Sequence, residues 1–230
     1  MLSNVFQKIS QKKDVLGFFD VCQTLDKLPK KEKDIILNKK IKKELNKTCS
    51  GLNYLADIFR EITSKNIIID TSANIIIAEK LLSDDNWKII LLTRDPRGIL
   101  YSYKKADARY NNKEPLKRKV NVFIDFAKKA SIFKNNSKVL FVKYENLCRD
   151  SFKELRRICD FLNIDFEESM INFKKDLGHM VMGNRMRFDN NEKIIEDLLW
   201  QKKLIKKEKE LITESKKLVA LYKKLGYELT

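Results

Sequence analysis

The chain has 230 residues, 43% of them hydrophobic and 35% charged. That is enough for one sizeable core over 1–230, and too polar for a membrane protein or a wholly disordered chain. A net charge of +16 suggests a polyanion partner. However, 38 lysines against 10 arginines, with abundant Asn and Ile, are what a coding bias toward A and T produces without any selected partner.

Apolar positions at helical spacing (Leu2, Val5, Phe6, Ile9) predict a helix over 1–12, and the apolar stretch 15–21 a short strand or loop. A charged stretch follows over 30–46, with one apolar stripe, and predicts a solvated surface helix. Residues 48–51 interrupt the pattern, and Leu52, Leu55, Ile58, Phe59 and Ile62 restart it as a further helix. Next come three short apolar runs rich in branched residues, at 66–70, 87–93 and 138–143, which predict buried parallel strands. Helical spacing over 75–82, 96–105 and 116–133 alternates with them, the pattern of an α/β fold with crossover helices. Beyond Tyr144 the chain reads as a helix over 152–162, a polar loop over 178–191 and a long lysine-rich helix over 206–225.

Glycine and cysteine narrow the chemistry. The six glycines, at 17, 51, 98, 178, 183 and 226, allow no G-x-G-x-x-G or G-x-x-x-x-G-K loop, so a phosphate must be held another way. Four cysteines at 22, 49, 148 and 159 form no C-x-x-C pair, and His179 is the single histidine, which argues against structural zinc and a disulfide framework. There is no leader pattern and no apolar run near the roughly 18 residues of a membrane span. A reducing cytoplasm is the simplest compartment.

The most informative stretch is Ile-Ile-Leu-Leu-Thr-Arg-Asp-Pro-Arg-Gly-Ile-Leu-Tyr-Ser over 89–102. An apolar strand ends at Thr93, Asp95 can cap the next helix, and Pro96 suits its first turn. Arg94 then lies at the carboxyl end of a strand beside a helix N-terminus, where open α/β sheets bind anions. Ser102, eight residues on, can return to the same crevice, so that Arg94 and Ser102 grip one phosphate. The same residues also make an ordinary salt-bridged helix start.

This R-x7-S pattern behind a strand resembles the 3′-phosphate segment of sulfotransferases that use 3′-phosphoadenosine 5′-phosphosulfate (PAPS). Three further stretches resemble that family in order: Val-Leu-Phe-Val-Lys-Tyr-Glu-Asn-Leu over 139–147 with the helix after it, Gly-His-Met-Val-Met-Gly-Asn-Arg-Met-Arg-Phe over 178–188, and Trp200 with the basic helix and Gly226-Tyr227. The resemblance implies a P-loop-NTPase-like parallel sheet flanked by helices, with the first strand and loop missing and a helical C-terminal part. It implies that Arg94 and Ser102 hold the 3′-phosphate, that Tyr144 lies near the adenine, and that Gly183, Asn184, Arg185 and Arg187 close over the nucleotide.

On the acceptor side, Ile-Ile-Ile-Asp-Thr-Ser-Ala-Asn over 67–74 resembles the family's strand and D-S-S-K segment, which puts Ser72 and Asn74 beside the acceptor. Asn74 stands where a lysine is usual, removing a positive charge from the reaction centre. Two residues are candidates for the base: Asp70, at the end of its strand, where a capping Asp is the more common reading, and His179, whose side chain ordinarily titrates near neutrality and whose first expected role is ligand contact, with the base role second. The family's G-x-x-R-S-G-T-T loop is not matched, and the resemblance begins at residue 1. The expectation is therefore a start just after that loop, with Met1 either internal to a longer frame or the start of a natural truncation; translation of the upstream DNA decides between them.

The resemblance implies transfer of a sulfuryl group from PAPS, without a metal, to a small-molecule, glycan or peptide acceptor, with turnover weakened by the missing loop. Two alternatives stay open: a non-catalytic remnant that binds nucleotide or a partner, and a basic nucleic-acid-binding protein, although no nucleic-acid-reading motif is present.

Overall fold

The computed structural model describes residues 15–17, 49–63, 66–69, 75–110, 115–171 and 194–229. The helices expected over 1–12 and 30–46 and the loop over 178–191 lie outside them. The chain divides into two compact units, residues 1–87 with 163–194, and residues 88–162 with 195–230.

In the first unit, β1 (Val15–Gly17) pairs in parallel with β2 (Ile67–Ile69), with Val15 opposite Ile67 and Gly17 opposite Ile69. Helix α1 (Cys49–Thr63) buries Leu52 and Ala56, four residues apart and therefore on one face. Asn53 on that helix accepts the Trp87 indole N–H and donates to Asp84, which fixes the turn that follows α2 (Ile75–Leu81). A 3-10 turn at Glu168–Met170 buries Met170.

The second unit is built on β3 (Ile89–Thr93) and β4 (Val139–Lys143), parallel and in register from Ile89 opposite Val139 to Thr93 opposite Lys143. Helix α3 (Pro96–Tyr110) follows β3, and α4 (Leu116–Phe133) leads back to β4, a crossover of the length parallel pairing requires. On α4 the residues Val120, Phe123, Ala127, Ala130 and Phe133 are buried at three- and four-residue spacing, so one stripe faces the core. After β4 come α5 (Tyr144–Arg149) and α6 (Ser151–Leu162), whose Leu155, Ile158 and Cys159 are buried. Helices α7 (Leu199–Lys203), α8 (Lys206–Thr213) and α9 (Lys216–Lys224) complete the unit, with α9 packed on α4.

The alternation of strand and helix expected over 66–143 is present. Helix α1 starts at Cys49, inside the stretch 48–51 that was expected to interrupt the pattern, and two later boundaries differ as well. The long helix expected over 206–225 is broken after Thr213, because Ser215 leaves helical dihedrals (φ −74°, ψ 86°) and its carbonyl starts α9 by accepting the Val219 N–H. The break lets Ile212, Leu218 and Tyr222 all reach the core. Helix α3 runs to Tyr110, past the expected end at 105, and Asp107 sits in it, paired at 2.8 Å with the buried ammonium of Lys119 on α4. No described helix is long and apolar enough to cross a membrane.

The C-terminal turn is fixed by backbone. Gly226 takes φ 83° after α9, and the Gly226 and Tyr227 N–H groups donate to the carbonyls of Lys223 and Tyr222. This is the left-handed helix ending that glycine serves best. A Cβ at 226 would also lie 2.8 Å from the Lys143 ammonium.

Candidate functional site

The carboxyl ends of β3 and β4 carry the site. Thr93 ends β3 and is buried; after it the chain turns through Arg94 and Asp95 into α3. Asp95 caps the helix, its Oδ1 accepting the Arg97 N–H at 2.8 Å, and it pairs with the Arg97 guanidinium at 2.8 Å. The other face of Arg97 stacks on Trp200, 4.7 Å from the ring centre. Glu145 on α5 reaches across to accept the Asp95 N–H at 2.8 Å. The amides at this strand end thus already have carboxylate partners, and an incoming anion meets side chains first.

Those side chains converge on Arg94. Its Nη1 lies 3.4 Å from Ser102 Oγ, which donates to the Gly98 carbonyl at 3.1 Å. Its Cζ lies 4.2 Å from the centre of the Tyr144 ring, a cation–π contact that holds the guanidinium flat. Gly98 makes this pose available: a Cβ there would come within 2.9 Å of Arg94 Nε.

Tyr144 is buried, and its hydroxyl accepts the Asp197 N–H at 2.9 Å. Burial pushes that hydroxyl up to about 12, partly offset by the hydrogen bond from Asp197. Burial likewise raises the neighbouring Cys148 thiol to about 11, so it stays protonated and unreactive at neutral pH.

Of the residues the sequence singles out, the structure brings Arg94, Ser102 and Tyr144 together. Asp70, Ser72, Asn74, His179, Gly183, Asn184, Arg185 and Arg187 lie outside the described residues. Four residues that the sequence reading missed stand around the trio. Gly98 and Glu145 shape it. Asp197 places its backbone carbonyl 3.0 Å and its carboxylate 3.9 Å from Arg94 Nη2, and Lys105 lies 3.4 Å from the same carboxylate. Lys105 was legible in principle, eleven residues or about three helical turns after Arg94; Asp197, 103 residues away, was not.

A family model described as a sulfotransferase domain matches residues 58–216. No curated protein matches the chain. Among solved structures it is similar to the sulfotransferase domain of the Synechococcus PCC 7002 olefin synthase, at 19% identity over 92% of this chain and 75% of that one, with a TM-score of 0.66. It is also similar to the sulfotransferase domain from the curacin biosynthetic pathway, at 16% identity over 100% of this chain and 94% of that one, with a TM-score of 0.64. At these identities the likeness shows the fold: the expected α/β class, mostly helical around short parallel strands.

Proposed function

We propose that this chain, which belongs to the sulfotransferase domain family, is one such domain over 1–230 that binds PAPS as donor substrate and passes its sulfuryl group to a hydroxyl or amine acceptor. The observation that carries the donor assignment is the convergence of Arg94, Ser102 and Tyr144 at the carboxyl ends of two parallel strands. A guanidinium, a hydroxyl beside it and an aromatic ring against its face form a donor set for a phosphate on a nucleoside.

In this reading the 3′-phosphate takes hydrogen bonds from Arg94 and from the Ser102 hydroxyl, which turns away from the Gly98 carbonyl to donate. The adenine lies on the Tyr144 side, and Gly183, Asn184, Arg185 and Arg187 close over the nucleotide. Asp70 or His179 takes the proton of the acceptor as its oxygen or nitrogen attacks sulfur in line, and 3′,5′-adenosine diphosphate leaves. Ser72 and Asn74 face the acceptor, a small molecule or a glycan or peptide group. Ground-state contacts at Arg94 place the donor; the rate depends on donors aimed at the leaving oxygen. The missing lysine at 74 favours a second reading, donor binding with little or no turnover. The cytoplasm is the proposed compartment.

Thermal unfolding with added ligand tests the donor reading. PAPS and 3′,5′-adenosine diphosphate should both raise Tm, by an amount that keeps growing with the logarithm of ligand concentration above Kd, and Arg94→Ala should remove the rise. No rise with either nucleotide would remove the reading.

A further inference from the structure

Arg94 already has an anion beside it. The Asp197 side chain is 14% exposed and Arg94 18%. Oδ2 of Asp197 stands 3.9 Å from Arg94 Nη2 and 3.4 Å from Lys105 Nζ, between two cations that approach from α3 and the loop before it. Its other oxygen, Oδ1, accepts the Leu199 N–H at 3.1 Å at the start of α7. That capping task needs an oxygen and no charge, and Asn or Ser performs it as well. The charge itself is therefore directed at Arg94 and Lys105.

The strap carrying Asp197 is fastened to the same site. Its N–H donates to the Tyr144 hydroxyl at 2.9 Å, and that hydroxyl donates in turn to the Ile195 carbonyl at 3.5 Å. The ring that supports the Arg94 guanidinium thus also anchors the strap. The neutral Asp197 carbonyl holds Nη2 at 3.0 Å, so Arg94 keeps an orienting partner that does not depend on the carboxylate.

We infer that Asp197 is the internal counter-anion of the Arg94 site and sets both its affinity and its selectivity for a 3′-phosphate. The inference rests on the reading of Arg94 and Ser102 as the holders of that phosphate. In the free protein the carboxylate offsets one of the two positive charges of Arg94 and Lys105. An arriving phosphate carries more charge and three acceptor oxygens, and it cannot share the two cations with a carboxylate at this distance without like-charge repulsion. The carboxylate swings away while its backbone carbonyl stays, and Lys105 turns to the phosphate. A nucleotide without a 3′-phosphate never competes with Asp197, so the residue lowers both the affinity for 3′-phosphorylated nucleotides and the margin by which they are preferred, through a cost that only they meet.

The test is calorimetric titration of the whole 230-residue chain with 3′,5′-adenosine diphosphate and with 5′-AMP, in the wild type, Asp197→Asn, Asp197→Ser and Arg94→Ala. Both Asp197 variants retain a cap for Leu199, and circular dichroism checks their folding. Asp197→Asn is expected to bind 3′,5′-adenosine diphosphate about tenfold more tightly and 5′-AMP within about twofold of the wild type, with Asp197→Ser in the same direction. Unchanged or weaker binding of 3′,5′-adenosine diphosphate, or a gain shared equally by 5′-AMP, overturns the inference. If Arg94→Ala abolishes a wild-type preference for 3′,5′-adenosine diphosphate while Asp197→Asn changes nothing, the 3′-phosphate reading stands and this inference falls. If no variant prefers the 3′-phosphorylated nucleotide, both fall.

Discussion

Arg94 reaches Ser102 by folding back over the first turn of α3, and only a residue without Cβ at 98 leaves room for it. Alanine is the better helix former by about 1 kcal/mol, and the atoms it would press belong to a flexible side chain. Gly98→Ala should therefore leave the fold as stable or up to about 1 kcal/mol more stable, yet bind 3′,5′-adenosine diphosphate about tenfold more weakly. Chemical denaturation read beside calorimetry separates the two effects; equal affinity would show that the pose of Arg94 does not matter. Tyr144 permits a second test, by pH. Its hydroxyl ionises near 10 when exposed and near 12 in the folded protein, so the native state binds the proton more tightly. The stability it adds is full below pH 10 and is lost as pH rises toward 12. The difference in stability between wild type and Tyr144→Phe, measured from pH 8 to 12, should be constant up to about pH 10 and then decline. Lysine titration is common to both proteins and cancels. A difference flat to pH 12 would contradict the burial of that hydroxyl.

At the scale of elements, the C-terminal helix and tail act as a latch on the strand end that carries the site. The Tyr227 hydroxyl donates to Glu145 Oε2 at 2.9 Å and lies 3.1 Å from Thr93 Oγ1, while Glu145 also holds the Asp95 N–H. Burial raises the Tyr227 hydroxyl well above its ordinary range, with the Glu145 charge adding to it. Tyr222 packs edge-on against Tyr227, but its buried hydroxyl has no partner among the described residues. The two tyrosines should therefore respond in opposite ways to loss of oxygen. Tyr227→Phe is expected to cost about 1–3 kcal/mol by leaving Glu145 Oε2 without its donor, whereas Tyr222→Phe should be neutral or stabilising. Urea unfolding of both variants decides, and equal losses would contradict the latch. The sequence announced this element only in part. The period of apolar residues showed a helix over 206–225, but it could not show the break at Ser215, where tertiary burial of Ile212 before the break and of Leu218 and Tyr222 after it overrides a locally good helix pattern.

At the scale of the whole molecule, the strands were legible because β3 and β4 are short, mainly apolar runs in parallel pairing, although only two residues of each are buried and the rest are half-buried. α4 was legible because its stripe is regular. Arg94 and Ser102 could be paired because only one strand-to-helix turn separates them. Asp197 and Glu145 join the same cluster through tertiary contacts across 103 and 50 residues, and no local pattern in one sequence encodes such a meeting. The charge of +16 gave less guidance than it promised. At the site, the cations Arg94, Arg97 and Lys105 each have a carboxylate partner, so what matters there is how readily one carboxylate gives way to a phosphate. The central claim is that this cluster holds the 3′-phosphate of the donor nucleotide, and the most direct measurement is a crystal structure of the chain with 3′,5′-adenosine diphosphate. The account predicts 3′-phosphate oxygens about 3 Å from the Arg94 guanidinium and the Ser102 hydroxyl. A nucleotide bound with its 3′-phosphate elsewhere, and Arg94 still closed on Asp197, would contradict it.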